Sequence, residues 1–524
     1  MSEQESSNNQ LDVKQLGLVA AIISLGYVFW VVGAMEMVER LAFYGVRSVA
    51  TLYGKDPVSR GGLGITPSEM GTIFFWWMLF QSWVPIFTGG LADRYGYKQA
   101  IALSTVLKIV GYLIMAAFST YWGFFAGAIF LAMGTAIFKP GIQGTLVKCT
   151  NRQNSSMAWG IFYQTVNIGA FIGPLLAGYM RKMEWRYVFL ACAGIICLNF
   201  LLLLTYREPG IEERKKRQAD REASGVKQRP MLEETLIELT KPHLALFVGI
   251  FAGFYFMFYS LFDVLPNYID DWVNTSDIVQ SAGSLVHQPG SSEAPTLLQK
   301  IVGFVMVLDK TGTRIQAEGL MNVNAGMIML TCFLFGYFSS RVRITTSIWI
   351  GTAMATMGLF ICGYSTMGWT CFFGIICFSM GEMLSSPKFG EFVGNLAPED
   401  KKGTYLGLCQ LAPGIGATIE GKLGLYLYGI YASKERFSRE LLADKGMSAD
   451  TITAIPEGEA FDKLVQFLGQ TPEQVTALLW DIHSPEKLWW IMGSVGILTT
   501  VGLVWYGSWV YRYLARRRAS GIED

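Results

Sequence analysis

Apolar stretches of about 20 residues or more alternate along the chain with short polar breaks, and each is long enough to cross ~30 Å of hydrocarbon as a helix. The pattern predicts about twelve spans, near residues 19–53, 68–92, 99–118, 121–147, 157–181, 186–206, 243–271, 319–340, 345–364, 368–393, 403–431 and 487–513. They fall into two sets of six. The expected fold is all-α and polytopic: a six-helix half over 1–206, a polar linker over 207–241, and a second half over 242–524. The linker mixes Arg214, Lys215, Lys216 and Arg217 with Glu212 and Glu213, as a solvated segment would.

Basic residues in the short connections set the expected orientation, because cytoplasmic loops carry the excess of Lys and Arg. Arg94 and Lys98, Lys148 and Arg152, Arg341 and Arg343, and Lys401 and Lys402 follow the even-numbered spans, whereas the turns around Thr120 and Ser365 carry none. Both termini are therefore expected in the cytoplasm, and Arg516, Arg517 and Arg518 agree. Met1–Gln15 is polar with no cleavable-signal pattern, so the first span is expected in the mature protein. Two connections on the expected outer side are long. Segment 274–318 begins rich in Ser, Gly and Pro, which suggests a flexible loop; segment 432–485 has helical patterning and suggests a small cap. Within the second, Thr471, Pro472 and Gln474 have the form of a capping box with proline at the first helical position.

Composition supports the membrane reading. The 524 residues are 52% hydrophobic and only 16% charged, where soluble proteins carry about 25% charged residues. A net charge of +1 argues against a nucleic-acid partner, which would require a basic face. The eight cysteines lie mostly inside apolar stretches without a CxxC pair and read as small core residues. Phe74, Phe75, Trp76 and Trp77 read as lipid-facing or interfacial aromatics, with cavity lining as the alternative.

Against this background, charges inside the spans are the chemistry-bearing residues. An ionisable group at the bilayer centre costs about 2.5–3.5 kcal/mol on insertion scales, so each needs a partner or a wet cavity. Glu36, Glu39 and Arg40 share one face of the first span at helical spacings, with Arg47 two turns further on. Lys139 lies in span four, Asp263 in span seven and Glu382 in span ten. Structural ion pairs that lock helices together are the simpler reading of any one of them. The set has more acids and bases at similar depth than locking needs. Carboxylates that exchange basic partners can take up and release protons, and all three histidines lie at span ends or in loops. Carboxylates are thus the expected proton carriers, with no cofactor beyond the coupling proton. No P-loop lysine follows the glycines of span eleven, so direct ATP coupling finds no support.

Several motifs carry a family resemblance. Gly89 to Lys98, with Asp93 and Arg94, resembles the G-x-x-x-D-R-x-G-R-K loop of the major facilitator superfamily, with Tyr97 in place of an Arg; the expected role of Asp93 and Arg94 is gating. Glu36 to Gly45 resembles the E-x-x-E-R-F-x-Y-Y-G signature of the proton-dependent oligopeptide transporter (POT) family. Phe162 to Gly169 resembles its F-Y-x-x-I-N-x-G motif, Lys139-Pro140 its K-P-N, and Gly381 to Pro387 its G-E-x-x-x-S-P. These matches run in order over most of the membrane region and miss both long connections.

The resemblance implies a major facilitator fold with a central peptide site between the halves. Arg40 and Lys139 would face the peptide carboxylate; Glu382, Asn167 and Asn324 would hold its amino group; Tyr44, Arg47 and Asp263 would belong to the same substrate site. Glu36 and Glu39 would carry protonation linked to Arg40 and Lys139. The physics points the same way, since a zwitterion needs opposite charges at opposite ends of a cavity. Phe43, Leu41, Gly141 and Val264 depart from the family pattern near that site and leave the cargo open. The leading expectation is proton-coupled symport of di- or tripeptides or a related zwitterion, by a monomer in a bacterial inner membrane, with lipid, protons and substrate as its partners. Export of a cationic or amphipathic compound is an alternative, and a non-transporting receptor or scaffold built on the outer segments is another; no enzyme constellation stands out.

Overall fold

A computed structural model describes residues 18–150, 154–212, 239–287, 294–339, 341–396 and 409–519, with positions 233 and 237. Most of the polar segment between the two sets of spans, and Arg152, Lys401 and Lys402, lie outside these residues. Among them are twelve helices of 20 residues or more: α1 Tyr27–Arg47, α2 Pro67–Tyr95, α3 Tyr97–Ala117, α4 Tyr121–Cys149, α5 Ser155–Arg181, α6 Trp185–Leu204, α7 Pro242–Asp263, α8 Ala317–Ser339, α9 Ile344–Gly363, α10 Gly368–Leu396, α11 Leu411–Tyr431 and α12 Lys487–Ala519. By length and composition, eight of them can cross a membrane. Charge keeps α1 and α11 from meeting that measure: α1 carries Glu36, Glu39, Arg40 and Arg47, and α11 carries Glu420 and Lys422. The protein is an all-α polytopic membrane protein.

Two expected spans are shorter than the apolar pattern suggested. Span one is interrupted, because Ser48 and Val49 break the helix before a separate turn, Ala50–Lys55. Span seven ends at Asp263 and a second short helix, Leu265–Trp272, restarts with Pro266 in its first turn, a position where the missing N–H costs nothing.

Helices α1–α6 pack on one another, α1 against α5 and α6 and α3 against α4, while α7–α12 form a second group in which α9 packs on α10 and α12, and α7 on α11. The groups meet along two seams, α2 with α11 and α5 with α8. Lys422 of α11 ties the first seam, reaching Thr72 Oγ1 at 2.6 Å and the Ser68 carbonyl at 3.1 Å. Arg181 of α5 and Glu318 of α8 tie the second at 2.7 Å, and Glu318 is fully buried. The expectation of lipid-facing aromatics on α2 fails for two of the four. Phe74 and Trp77 are completely buried because α11 and the Arg47 side chain cover them, whereas Trp76 is exposed.

One end of the bundle carries a cap. Segment 432–485 folds into short helices that include Lys434–Asp444, Ala460–Leu468 and Pro472–His483. The last starts with the expected capping box between Thr471 and Gln474. Segment 274–318 is more ordered than its composition suggested, with helices Ser276–Ala282 and Leu297–Met306; positions 288–293 lie outside the described residues. At the base of the cap the rings of Phe461 and Trp272 flank Lys434, their centres 4.4 and 5.3 Å from its ammonium. Burial there pushes the Lys434 ammonium down to about 8, against an attraction from Asp271.

Three outcomes test these contacts. In the unfolded chain Lys434 holds its proton up to its ordinary 10.5, and in the folded protein it releases it near 8. The wild type should therefore gain thermal stability relative to Lys434→Met as pH rises across that window. Glu318→Ala, which strands Arg181 at a buried seam, should cost about 3–5 kcal/mol. Glu440→Ala, in the exposed Arg436–Glu440 pair, should cost under about 1 kcal/mol by the same thermal measurement in detergent.

Candidate functional site

The charged face of α1 is met by α3. Arg40 Nε lies 2.8 Å from Glu36 Oε1 and 2.9 Å from Glu39 Oε2, and Glu39 Oε1 accepts from Lys108 Nζ at 2.7 Å. All four side chains are buried. The spacing of three and four residues brings Glu36 and Arg40 together on one helical face. Lys108 can reach them because residue 134 of α4 is glycine: a Cβ there would stand 2.6 Å from the Lys108 side chain. Its ammonium lies 4.1 Å from the centre of the Phe138 ring, a further stabilising contact for a desolvated cation. Arg40 similarly sits over Phe43, 5.5 Å from its centre, so the phenylalanine that departs from the POT signature still offers the guanidinium a π face.

Between the two helix groups lies a cavity of about 530 Å³. Lys139 of α4 lines it from the first group and Glu382 of α10 from the second. Asn324 of α8 donates to Glu382 Oε2 at 2.9 Å and to Ser379 Oγ at 2.9 Å, so the carboxylate is fixed from a neighbouring helix. Asn167 of α5 and Tyr44 of α1 also line the cavity. Asn167 donates to the Tyr163 carbonyl at 2.9 Å. Among the described residues Lys139 forms no ion pair, though Arg40, Glu36 and Glu39 lie within electrostatic range of it. Tyr163, Tyr255, Tyr259, Phe258 and Phe262 supply an aromatic wall. Pro140, Pro174 and Pro387 interrupt the backbone ladders of three helices that line this space. Such breaks occur at membrane depth where protein or a cavity can satisfy the freed groups.

Of the residues singled out from the sequence, Tyr44, Lys139, Asn167, Asn324 and Glu382 share the cavity wall, and Glu36, Glu39 and Arg40 form the network behind it. Arg47 and Asp263 lie apart from that wall, paired with each other at 2.5 Å between Nη2 and Oδ2. Asp93 and Arg94 continue α2, but their side chains lie outside the described residues. Lys108 and Glu420 were not singled out, although each is an ionisable residue within an apolar span, the same signal that marked Lys139.

The seam is closed at the capped end. Lys55 Nζ lies 2.6 Å from Asp270 Oδ2 and 2.7 Å from Asp271 Oδ1, Tyr428 donates to Asp271, and Arg60 meets Asp462 of the cap at 3.3 Å.

A largely apolar cavity between two six-helix groups, with one basic and one acidic side chain on opposite walls, is the architecture of a membrane transporter. The profile of the Major Facilitator Superfamily matches residues 16–419, and the chain belongs to that superfamily. It is similar to the peptide transporter YePEPT of Yersinia enterocolitica, 33% identical over 177 residues, which is 32% of this chain and 34% of that protein. The chain thus aligns with about a third of that relative's length. It is also similar to the multidrug resistance protein MdtH of Edwardsiella ictaluri, 22% identical over 67% of this chain and 75% of that one. A solved POT family transporter in complex with 5-aminolevulinic acid superposes with a TM-score of 0.64 at 15% identity, over 92% of this chain and 97% of that one. The fold is that of these transporters.

Removing Lys108 should strand Glu39 in the core of the first helix group. Lys108→Met should destabilise by about 3–5 kcal/mol, and adding Glu39→Gln should recover more than half of that loss in a double-mutant cycle read by thermal unfolding. Additive losses would contradict the pairing.

Proposed function

We propose that this chain is a proton-coupled symporter of di- and tripeptides or closely related zwitterions, a member of the POT family working by alternating access. The observation that carries the reading is the polarity of the cavity: Lys139 on one wall, Glu382 on the other with Asn324 holding it. A zwitterion matches both ends, its carboxylate toward Lys139 and Arg40 and its ammonium toward Glu382, Asn324 and Asn167. Because Arg40 is already bound by Glu36 and Glu39, its charge becomes available to a substrate carboxylate when one of those acids takes a proton. Substrate and proton then bind together. Rocking of the two helix groups, with the pairs at the capped end breaking and reforming, would carry both across. The basic loops support cytoplasmic termini and a cap on the outer side, and the bacterial relatives support a bacterial inner membrane. Similarity to the peptide transporter YePEPT and to the POT structures supports the substrate class. The aromatic wall and the MdtH relative favour a second reading, export of a cationic or amphipathic compound.

Uptake into liposomes under an imposed inward proton gradient separates the two. Labelled di- and tripeptides should accumulate, and a proton ionophore should abolish accumulation. A folded protein that takes up no peptide, and instead extrudes a lipophilic cation, would favour the second reading. Glu36→Gln should lose gradient-driven accumulation by at least about tenfold, a change of ~1.4 kcal/mol in coupling, while retaining peptide exchange; loss of both would remove the specific proton role of Glu36.

A further inference from the structure

The segment leading from α7 to α8 carries a helix, Leu297–Met306, whose apolar side is turned away from the protein. Leu297, Leu298, Ile301, Phe304 and Val305 are between 41% and 74% exposed, and their spacing puts all five on one face. The opposite face belongs to the protein. Val302 and Met306 pack on the core, Gln299 donates to the Ser284 carbonyl at 3.0 Å, and the Gly303 carbonyl accepts from the Tyr179 hydroxyl at 3.0 Å. The helix is well defined by its capping box, in which Thr296 and Gln299 exchange hydrogen bonds. A contiguous apolar face of this kind, rimmed by polar groups, marks an interaction surface.

Its depth is set by fastenings to two of the long helices. Val307, which ends the helix in the left-handed region and is completely buried, sits over Gly178 of α5, where a Cβ would stand 2.4 Å from Val307 Cγ1. Next along α5, the Tyr179 ring stacks on Phe304 with centres 5.2 Å apart. Gly319, in the first turn of α8, admits the Met306 carbonyl; a Cβ there would overlap it. The helix therefore lies across the α5–α8 seam, level with the last turn of α5, which ends at Arg181. This is the capped end, since Arg314 just beyond meets Glu473 of the cap at 2.9 Å. Two turns before Tyr179, on the same face of α5, Ile172 is exposed within a stretch long and apolar enough to cross a membrane. The apolar stripe thus continues a lipid-facing side of the bundle. Ten residues of helix reach only about 15 Å, half of the ~30 Å that a span needs.

We infer that Leu297–Met306 is an interfacial helix, lying in the phospholipid surface at the capped end with its five apolar side chains among the acyl chains. Lys300, exposed on the flank of the stripe, stands at the level of the headgroup phosphates, as does Lys182, whose ammonium lies 4.4 Å from the centre of the Tyr179 ring. Tyr179 itself has the apolar ring and polar tip that suit this depth. Continuity with Ile172 selects lipid as the occupant of the stripe over a second copy of the chain. Because the helix is fastened to α5 and α8 at once, beside the Arg181–Glu318 pair, it links the seam between the two helix groups to the lipid surface. The contact requires only a bilayer around the bundle and is the same whatever the cargo.

Photocrosslinking of the full chain in nanodiscs of phosphatidylethanolamine and phosphatidylglycerol tests this. Ile301→p-benzoylphenylalanine and Leu298→p-benzoylphenylalanine should each gain the mass of one phospholipid on illumination. The same replacement at Leu498, 73% exposed midway along α12, should do likewise, and at Ala449, exposed on the cap, should gain none. Thermal unfolding checks each variant, and either stripe position serves if the other fails to fold. Unmodified chains at both stripe positions while Leu498 reacts would overturn the inference and place the helix in water. Lipid labelling of Ala449 equal to that of the stripe would overturn it too. In liposomes, where chains can meet, a crosslinked dimer at Ile301 in place of the lipid adduct would overturn it in favour of a second copy.

Discussion

Arg40 clasped between Glu36 and Glu39 is the contact on which the rest of the arrangement depends. Each of these charges alone would be expensive to bury, and together with Lys108 they form a neutral set of two acids and two bases. That set fixes the rotation of α1 about its axis. With the charged face turned toward α3, Tyr44 falls on the cavity wall and Arg47, two turns beyond Arg40, reaches Asp263 on α7. One helix thereby connects the interior of the first helix group, the cavity and the opposite group.

The cavity takes its polarity from the two groups separately. Lys139 is supplied by the first and Glu382 by the second, so the distance between the two charges changes when the groups move relative to one another. A ligand that bridges them ties its own binding to that movement. Elsewhere the groups are held by pairs of a different kind: Arg181–Glu318 and Lys422–Thr72 along the seams, and Lys55 with Asp270 and Asp271 beneath the cap. In the proposed cycle, contacts that span the groups have to be remade at each turnover, whereas those within a group, such as Lys108–Glu39, can persist throughout.

Much of this was legible in the sequence because hydrocarbon imposes a strict code: apolar runs marked the spans, and intramembrane charges marked Glu36, Glu39, Arg40, Lys139 and Glu382. What the code does not contain is partnership. Helix periodicity places Arg47 on α1 but cannot say that it meets Asp263, 216 positions away, and not the cavity. Lys108 and Glu420 were visible as single charges, but nothing local connects them to partners on other helices. Phe74 and Trp77 looked like lipid-facing aromatics because period alone cannot distinguish a lipid face from a seam. Gly141, a departure from the POT pattern, has a packing reason: a Cβ there would stand 2.9 Å from Ile101 of α3.

The central claim is that the cavity recognises both ends of a zwitterion, and binding measured with end-blocked ligands tests it most directly. In purified protein, a dipeptide with free termini should bind at least about tenfold more tightly, ~1.4 kcal/mol, than its N-acetylated and C-amidated forms, and Lys139→Ala should erase the discrimination against the amide alone. Equal affinity for the free, acetylated and amidated dipeptides would contradict the account.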